Sequence, residues 1–283
     1  TLRMLTTLLE PTAGTATVAG CDLVADPVGV RRRIGYVSQS GSTYPDARAG
    51  EEVVDHARLY GMSTAEATER GKRLFSELDL EGLWERQPKT MSGGQRRRLD
   101  IAVGLVHVPE LVFLDEPTTG LDPQARANLW QHIRALREER GTTVFLTTHY
   151  LDEADALCDR ILVIDHGAIV ASGTPDQLKS QVGGDVLTVT VERPDEVAAV
   201  ARLVGELPGA EPPQVLDDRV IGRVRHGGTA LVELVRGLDR AGIAVSGVES
   251  RRPSLDDVFL GLTGRSLRDA EAGTAPAAEE VTV

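Results

Sequence analysis

Four apolar residues in a row, Leu111, Val112, Phe113 and Leu114, run into Asp115, Glu116 and Pro117. An unbroken apolar run that proline ends predicts a strand buried on both faces of a parallel sheet. Two carboxylates then stand at its C-terminal end, where open α/β sheets place their ligands. Adjacent strand residues face opposite ways, so Asp115 and Glu116 are expected to do different work.

The pattern around this strand alternates in period. Leu2, Met4, Leu5, Leu8 and Leu9 predict a helix over residues 2–9, ended by the turn Pro11-Thr12-Ala13-Gly14. Residues 15–18 read as a short strand, 28–33 as a helical face carrying Arg31, Arg32 and Arg33, and 34–38 as a strand with Gln39 at its end. From residue 51 to about 83 the spacing is helical with no strand between, which predicts a helical subdomain at about 51–91 inserted in an α/β core. Ser92-Gly93-Gly94-Gln95 opens the next helix. Asp122-Pro123 opens another, with Asp as N-cap and Pro at the first helical position. Residues 142–148 form the next strand and His149 stands at its end. A helix over 151–157, a hairpin turning at Asp165-His166-Gly167 and a helix from Thr174-Pro175 to about 181 follow.

Beyond Gly183-Gly184 the order β-α-β-β-α-β predicts a small ferredoxin-like α+β domain over 185–262, closed by a short amphipathic helix at 255–260. It carries no catalytic constellation and reads as a regulatory or dimer-supporting module, or as a passive appendage. Residues 266–283 are rich in Ala, Glu and Gly and are expected to be disordered.

Composition narrows the classes. A hydrophobic content of 41% supports a sizeable core, and 4% aromatics make that core aliphatic. The net charge of -12 argues against nucleic acid as the main partner. No run reaches the ~18 apolar residues of a membrane span, and no secretory pattern opens the chain. Cys21 and Cys158 are isolated, without metal spacing, and read as small core residues in a reducing compartment.

Several side chains then suggest chemistry. An acid directly after an apolar strand is how P-loop NTPases hold Mg²⁺, and a second acid can orient or deprotonate a water. Ser92-Gly93-Gly94 at a helix start offers free N–H groups and the positive dipole end to a phosphate, although an N-cap after a turn explains Ser92 equally well. A strand-end amide such as Gln39 can coordinate a metal, or be a simple loop residue. Asp122 caps its helix and can also contact a partner. His149 ends the strand expected beside the Asp-Glu strand, so both point into one crevice.

These residues resemble the nucleotide-binding domain of ATP-binding cassette (ABC) proteins, over roughly residues 1–182. Gln39 matches the Q-loop, Met91 to Gln95 the signature with Met in the usual Leu position, Leu111 to Glu116 Walker B with its catalytic glutamate, Leu121-Asp122 the D-loop and His149 the switch histidine. Residues 96–100, 147–154 and the C-terminal region resemble the daunorubicin-resistance type of drug efflux ATPase, several of which carry Gln where His149 stands. The resemblance implies a homodimer that buries two ATP molecules. Ser92, Gly93, Gly94 and Gln95 of one copy, with Asp122 at the interface, would serve the ATP bound by the other. Asp115 would hold Mg²⁺ through its water shell, with Gln39 as a further ligand, Glu116 would polarise the attacking water and His149 would contact the γ-phosphate. It also implies a separate membrane permease that exports a small-molecule drug, with this chain peripheral on the cytoplasmic face of the plasma membrane and no nucleic-acid partner. Alternatives are a soluble cassette ATPase of translation or DNA repair, or a catalytically silent fragment.

The phosphate loop G-x-x-x-x-G-K-[ST] has no match in the 283 residues. The helix at Leu2 resembles the one that follows that loop, so the sequence reads as one lacking its N-terminal segment. Without the loop's N–H groups and lysine to cradle the β- and γ-phosphates, residues 1–283 by themselves are expected to bind MgATP weakly and to show no measurable ATPase activity. Isothermal titration with MgATP checks this; tight binding would mean that another segment supplies the cradle.

Overall fold

The computed structural model describes residues 1–181 and 183–263. The disorder expected for residues 266–283 lies outside the described residues. The chain forms two compact units, Thr1–Glu153 and Ala154–Val283.

The first unit starts with α1 (Leu2–Leu5), a hairpin of β1 (Thr17–Val18) and β2 (Cys21–Asp22), α2 (Pro27–Arg33) and β3 (Ile34–Val37). Helices α3 (Ala49–Leu59) and α4 (Thr64–Glu77) follow without an intervening strand. Then come α5 (Gly93–Leu105), β4 (Leu111–Asp115), α6 (Pro123–Arg140), β5 (Thr143–Thr147) and α7 (Leu151–Leu157), in which the units part.

The helix expected over residues 2–9 stops at Leu5. Its end is a Schellman closure: the Thr7 N–H reaches Met4 O at 2.9 Å and the Leu8 N–H reaches Arg3 O at 2.9 Å, with Thr7 left-handed at φ 61°. The chain turns away there, and Leu8 and Leu9 remain 54% and 52% exposed. Their helical spacing therefore reports no buried face. The hairpin partner at residues 21–22 was not legible, being only two residues long.

β3, β4 and β5 form a parallel sheet in the order β3-β4-β5, with Val37, Leu114 and Leu146 in register. Central β4 is buried through Val112, Phe113 and Leu114 at 0–1% exposure, as its unbroken apolar run requires. Helix α5 lies against β3 at backbone distance: a Cβ on Gly35 would come within 2.2 Å of Gly104 O, so only glycine fits there. This approach sets α5 over the strand ends that carry the site.

The second unit continues with a hairpin, β6 (Ile161–Asp165) and β7 (Ala168–Gly173), and α8 (Pro175–Gln181). Next come β8 (Asp185–Val191), α9 (Val197–Gly205), β9 (Gln214–Leu216), β10 (Arg219–Val224), α10 (Gly227–Ala241), β11 (Val245–Arg251) and α11 (Leu255–Thr263). The antiparallel order β11-β8-β10-β9 is the ferredoxin-like arrangement that the element order predicts. Leu187, Val189 and Val191 alternate along β8 into a core shared with Val200 and Val204 of α9 and Leu234 and Leu238 of α10. α11 packs against α8, which joins the hairpin region to this unit ahead of the boundary expected near residue 183.

Asp257 anchors α11. It accepts from Arg251 Nη1 at 2.5 Å and Nη2 at 3.0 Å, and from Ser254 N at 2.8 Å in a capping box. Burial pushes its pKa up, but these hydrogen bonds outweigh burial and hold it at about 2, below the ordinary 3.8. A folded-state value below the unfolded one stabilises the fold above about pH 4, and the contribution is lost as pH falls towards 2. Discounted for screening at Arg251, which is 41% exposed, it is on the order of 1–2 kcal/mol. Asp257→Asn should lose that much at pH 7 and flatten the acid limb of stability between pH ~4 and ~2, measured by urea unfolding across that range.

Candidate active site

The register of the parallel sheet builds the site. Val37, Leu114 and Leu146 are level, so Gln39 and Glu116 stand two residues beyond that level on neighbouring strands and His149 three beyond on the third. Glu116 is where they meet. Its Oε2 accepts from Gln39 Nε2 at 2.7 Å and from Thr119 Oγ1 at 3.0 Å, and lies 3.4 Å from His149 Nδ1. The Glu116 side chain keeps 30% exposure, so a water can reach it. Its backbone sits in the left-handed region at φ 43°, a conformation that costs an ordinary residue about 1–2 kcal/mol. That turn ends the strand and swings the carboxylate across the sheet end towards both Gln39 and His149.

Asp115, one residue earlier, faces another way. Its Oδ1 accepts from Thr147 Oγ1 at 2.7 Å, and the Tyr36 hydroxyl faces the same carboxylate. Burial, then the charge of Asp115, push the Tyr36 pKa above its ordinary value. The Thr147 hydroxyl also accepts from Glu116 N at 3.1 Å. The two acids thus have separate surroundings, as their alternation predicts.

Arg97 frames the cluster from α5. Only 7% exposed, it donates through Nη1 to Ser38 O at 2.5 Å, through Nη2 to Asp115 O at 2.9 Å and through Nε to Pro117 O at 2.8 Å. These carbonyls flank Gln39 and Glu116. Burial lowers the guanidinium's pKa, while Asp100, Asp115 and Glu153 pull it back up. Asp100, 3% exposed, accepts from Ser42 N at 3.0 Å, and so holds the loop that follows Gln39. Burial raises its pKa against the effect of Ser42, Arg97 and Thr43.

His149 is steadied separately. Its ring meets Tyr150 at 4.1 Å between centroids, and Arg126 of α6 lies over the Tyr150 ring at 4.0 Å.

Ser92, Gly93, Gly94, Gln95 and Asp122 do not join this cluster. Ser92 caps α5 in a closed box: its Oγ accepts from Gln95 N at 3.2 Å and Gln95 Oε1 accepts from Ser92 N at 3.0 Å. Gln95 therefore spends its carbonyl on its own helix. Among the described residues none accepts from the N–H groups of Gly93 and Gly94, while Ser92 and Gly93 are exposed. Gly94 lies against Ala125 at the start of α6, which Asp122 caps through Ala125 N at 2.9 Å. This edge offers the N–H groups of Gly93 and Gly94 as donors.

Sequence reasoning missed Arg97, Asp100, Thr119 and Thr147. For the first two a signal existed: they share a helical face with Ile101 and Gly104, so two charges occupy core spacing. Thr147 becomes visible only once β5 is known to pair with β4.

A family model described as ABC transporter matches residues 1–119, and one described as the C-terminal domain of DrrA1-3-like ATP-binding proteins matches residues 173–263. The daunorubicin/doxorubicin resistance ATP-binding protein DrrA of Streptomyces peucetius is 45% identical over 100% of this chain and 85% of its own length. The linearmycin resistance ATP-binding protein LnrL of Bacillus subtilis is 34% identical over 95% of this chain and 86% of its own length. Among solved structures, a dimeric ATP-binding cassette in a post-hydrolysis state, bound to ADP and Pi, aligns with a TM-score of 0.55 at 27% identity, over 61% of this chain and 78% of its own. An ATP-binding subunit of an ABC transporter aligns with a TM-score of 0.56 at 28% identity, over 64% of this chain and 75% of its own. Fold, whole-length relatives and the strand-end acids agree: the chain belongs to the ATP-binding cassette family, as an ATP-hydrolysing subunit coupled to export.

Proposed function

We propose that this subunit powers efflux of a drug or antibiotic through a separate membrane permease, working as a homodimer at the cytoplasmic face of the membrane. The observation that carries the reading is the meeting of Gln39, Thr119 and His149 on one oxygen of Glu116 at the end of a parallel sheet. Glu116 orients the attacking water and takes its proton, and His149, on the same oxygen, follows the state of that carboxylate and contacts the γ-phosphate. Gly93 and Gly94 turn their free N–H groups, and Ser92 its hydroxyl proton, to the ATP of the second copy, with Asp122 and the remaining amide of Gln95 at that interface. Catalysis is then mostly positioning and charge stabilisation.

The residues present suit Mg²⁺. Gln39 donates its amide N–H to Glu116, which leaves its carbonyl oxygen as an acceptor, and Asp115 adds a carboxylate held at one oxygen. Two hard oxygen donors, with substrate phosphates completing the set, are the usual protein share of a Mg²⁺ site. Mg²⁺ held by Asp115 and Gln39 would neutralise charge on the phosphate oxygens.

Residues 1–182 form the ATP-binding domain in this reading, and residues 185–262 an accessory domain that regulates or supports the dimer. No helix among the described residues is long and apolar enough to cross a membrane. The permease is expected to dock on the helical subdomain, where α3 and α4 border a groove of about 460 Å³ lined by Tyr60, Met62, Glu66, Arg70, Arg73 and Val108. Val108 in its lining is 65% exposed, and Leu59, which precedes Tyr60, is 83% exposed. The second reading, a cassette ATPase of translation or DNA repair, has no observation in its favour.

With a phosphate loop in place, Glu116→Gln should keep ATP binding and lower hydrolysis by about 10²–10⁴-fold, because the amide cannot accept the proton. It should also accumulate an ATP-bound dimer on size-exclusion chromatography. Turnover at the wild-type rate would remove Glu116 from this role. Cross-linking from residues 51–91 in native membranes should capture a polytopic protein; cross-links to ribosomes or repair factors alone would defeat the transporter reading.

A further inference from the structure

We infer that Thr147 is a positioning residue for both acids of the site, through a single hydroxyl. Asp115 as a carboxylate can only accept, so at 2.7 Å the Thr147 proton must point to Asp115 Oδ1. That direction turns a lone pair of the same oxygen towards Glu116 N, 3.1 Å away. The hydroxyl thus fixes which way the Asp115 carboxylate is turned and, together with the Thr147 carbonyl that accepts the same Glu116 N–H at 3.2 Å, pins the residue whose backbone is left-handed at φ 43°. Parallel pairing supplies the position: Thr147 is the register partner of Asp115. Tyr36, on the opposite neighbouring strand, faces the same carboxylate. Asp115 is therefore bordered by hydroxyls from both flanking strands, and the Thr147 bond turns its remaining lone pairs into one orientation.

This rests on the reading of Asp115 as the metal-holding acid. Ligating carboxylates are oriented by the hydrogen bonds behind them, and removing such a partner typically weakens metal affinity by about 10–100-fold. Thr147→Val keeps the shape and the β-branch that suit a strand and deletes only the hydroxyl. Thr147→Ser keeps the hydroxyl.

The test uses the ATPase with ATP and Mn²⁺ in place of Mg²⁺, and reads free and bound Mn²⁺ by electron paramagnetic resonance, independently of turnover. Thr147→Val should bind Mn²⁺ about 10–100-fold more weakly, Thr147→Ser should restore most of that loss, and Tyr36→Phe should weaken binding in the same direction. Tyr36→Phe also serves as the second arm if Thr147→Val does not fold, which circular dichroism and thermal unfolding report. Asp115→Asn is the control that separates the two levels of the argument. If Asp115→Asn loses Mn²⁺ but Thr147→Val and Tyr36→Phe bind it as the wild type does, the positioning role is overturned while the metal reading stands. If Asp115→Asn binds like the wild type, the metal reading fails and the inference fails with it.

Discussion

The guanidinium of Arg97 is the contact on which the site depends. Three carbonyl oxygens at the strand ends, of Ser38, Asp115 and Pro117, converge on one buried planar fork. Each would carry a desolvation penalty if left unpaired, on the order of 1–3 kcal/mol. Arginine suits the task because its donors sit in a rigid plane and its charge survives burial, whereas lysine offers a single pivoting point charge. By holding the carbonyls on either side of Glu116 and the one before Gln39, it sets the separation across which those two side chains bond. The charge is not isolated: Asp100, Asp115 and Glu153 act on it electrostatically, as a buried cation requires.

The same helix faces two ways. Its buried side carries Arg97 and Asp100 to the chain's own strand ends and to the loop after Gln39, while its N-terminus exposes Ser92 and Gly93 outward. The close approach of Gly35 and Gly104 seats this helix on β3. The loop after Gln39 is therefore tied to the helix that carries Arg97. Asp100 is the link, since a buried carboxylate that accepts from Ser42 N resists being pulled from its partner.

Glu116 shows strain kept where the chemistry is. Its left-handed backbone is unfavourable for a residue with a side chain, yet Thr147, Thr119, Gln39 and Arg97 all constrain the turn around it. The return is a carboxylate already placed between an amide and an imidazole, so little reorganisation is left for the reaction.

The sequence by itself determined the elements and their chemistry. The unbroken apolar run at residues 111–114, the caps at Ser92 and Asp122 and the β-α-β-β-α-β order all return in the structure, because each rests on local physics: burial on two faces, orphan N–H groups at helix starts, and periods of 2 and 3.6. Gln39, Asp115, Glu116 and His149 could be named as candidates for the same reason, as polar groups at strand ends. Only the tertiary structure decided which groups share an atom. That Gln39 and His149 both address Glu116, that Thr147 serves two acids with one hydroxyl, and that Arg97 is buried rather than solvated all depend on strand register and on a helix laid across strand ends. Local spacing is silent on both, since the partners lie tens of residues apart in the chain. The helix pattern at residues 2–9 fails for the converse reason: its apolar spacing is real, but the chain turns at Thr7 before the last two leucines find a surface to cover.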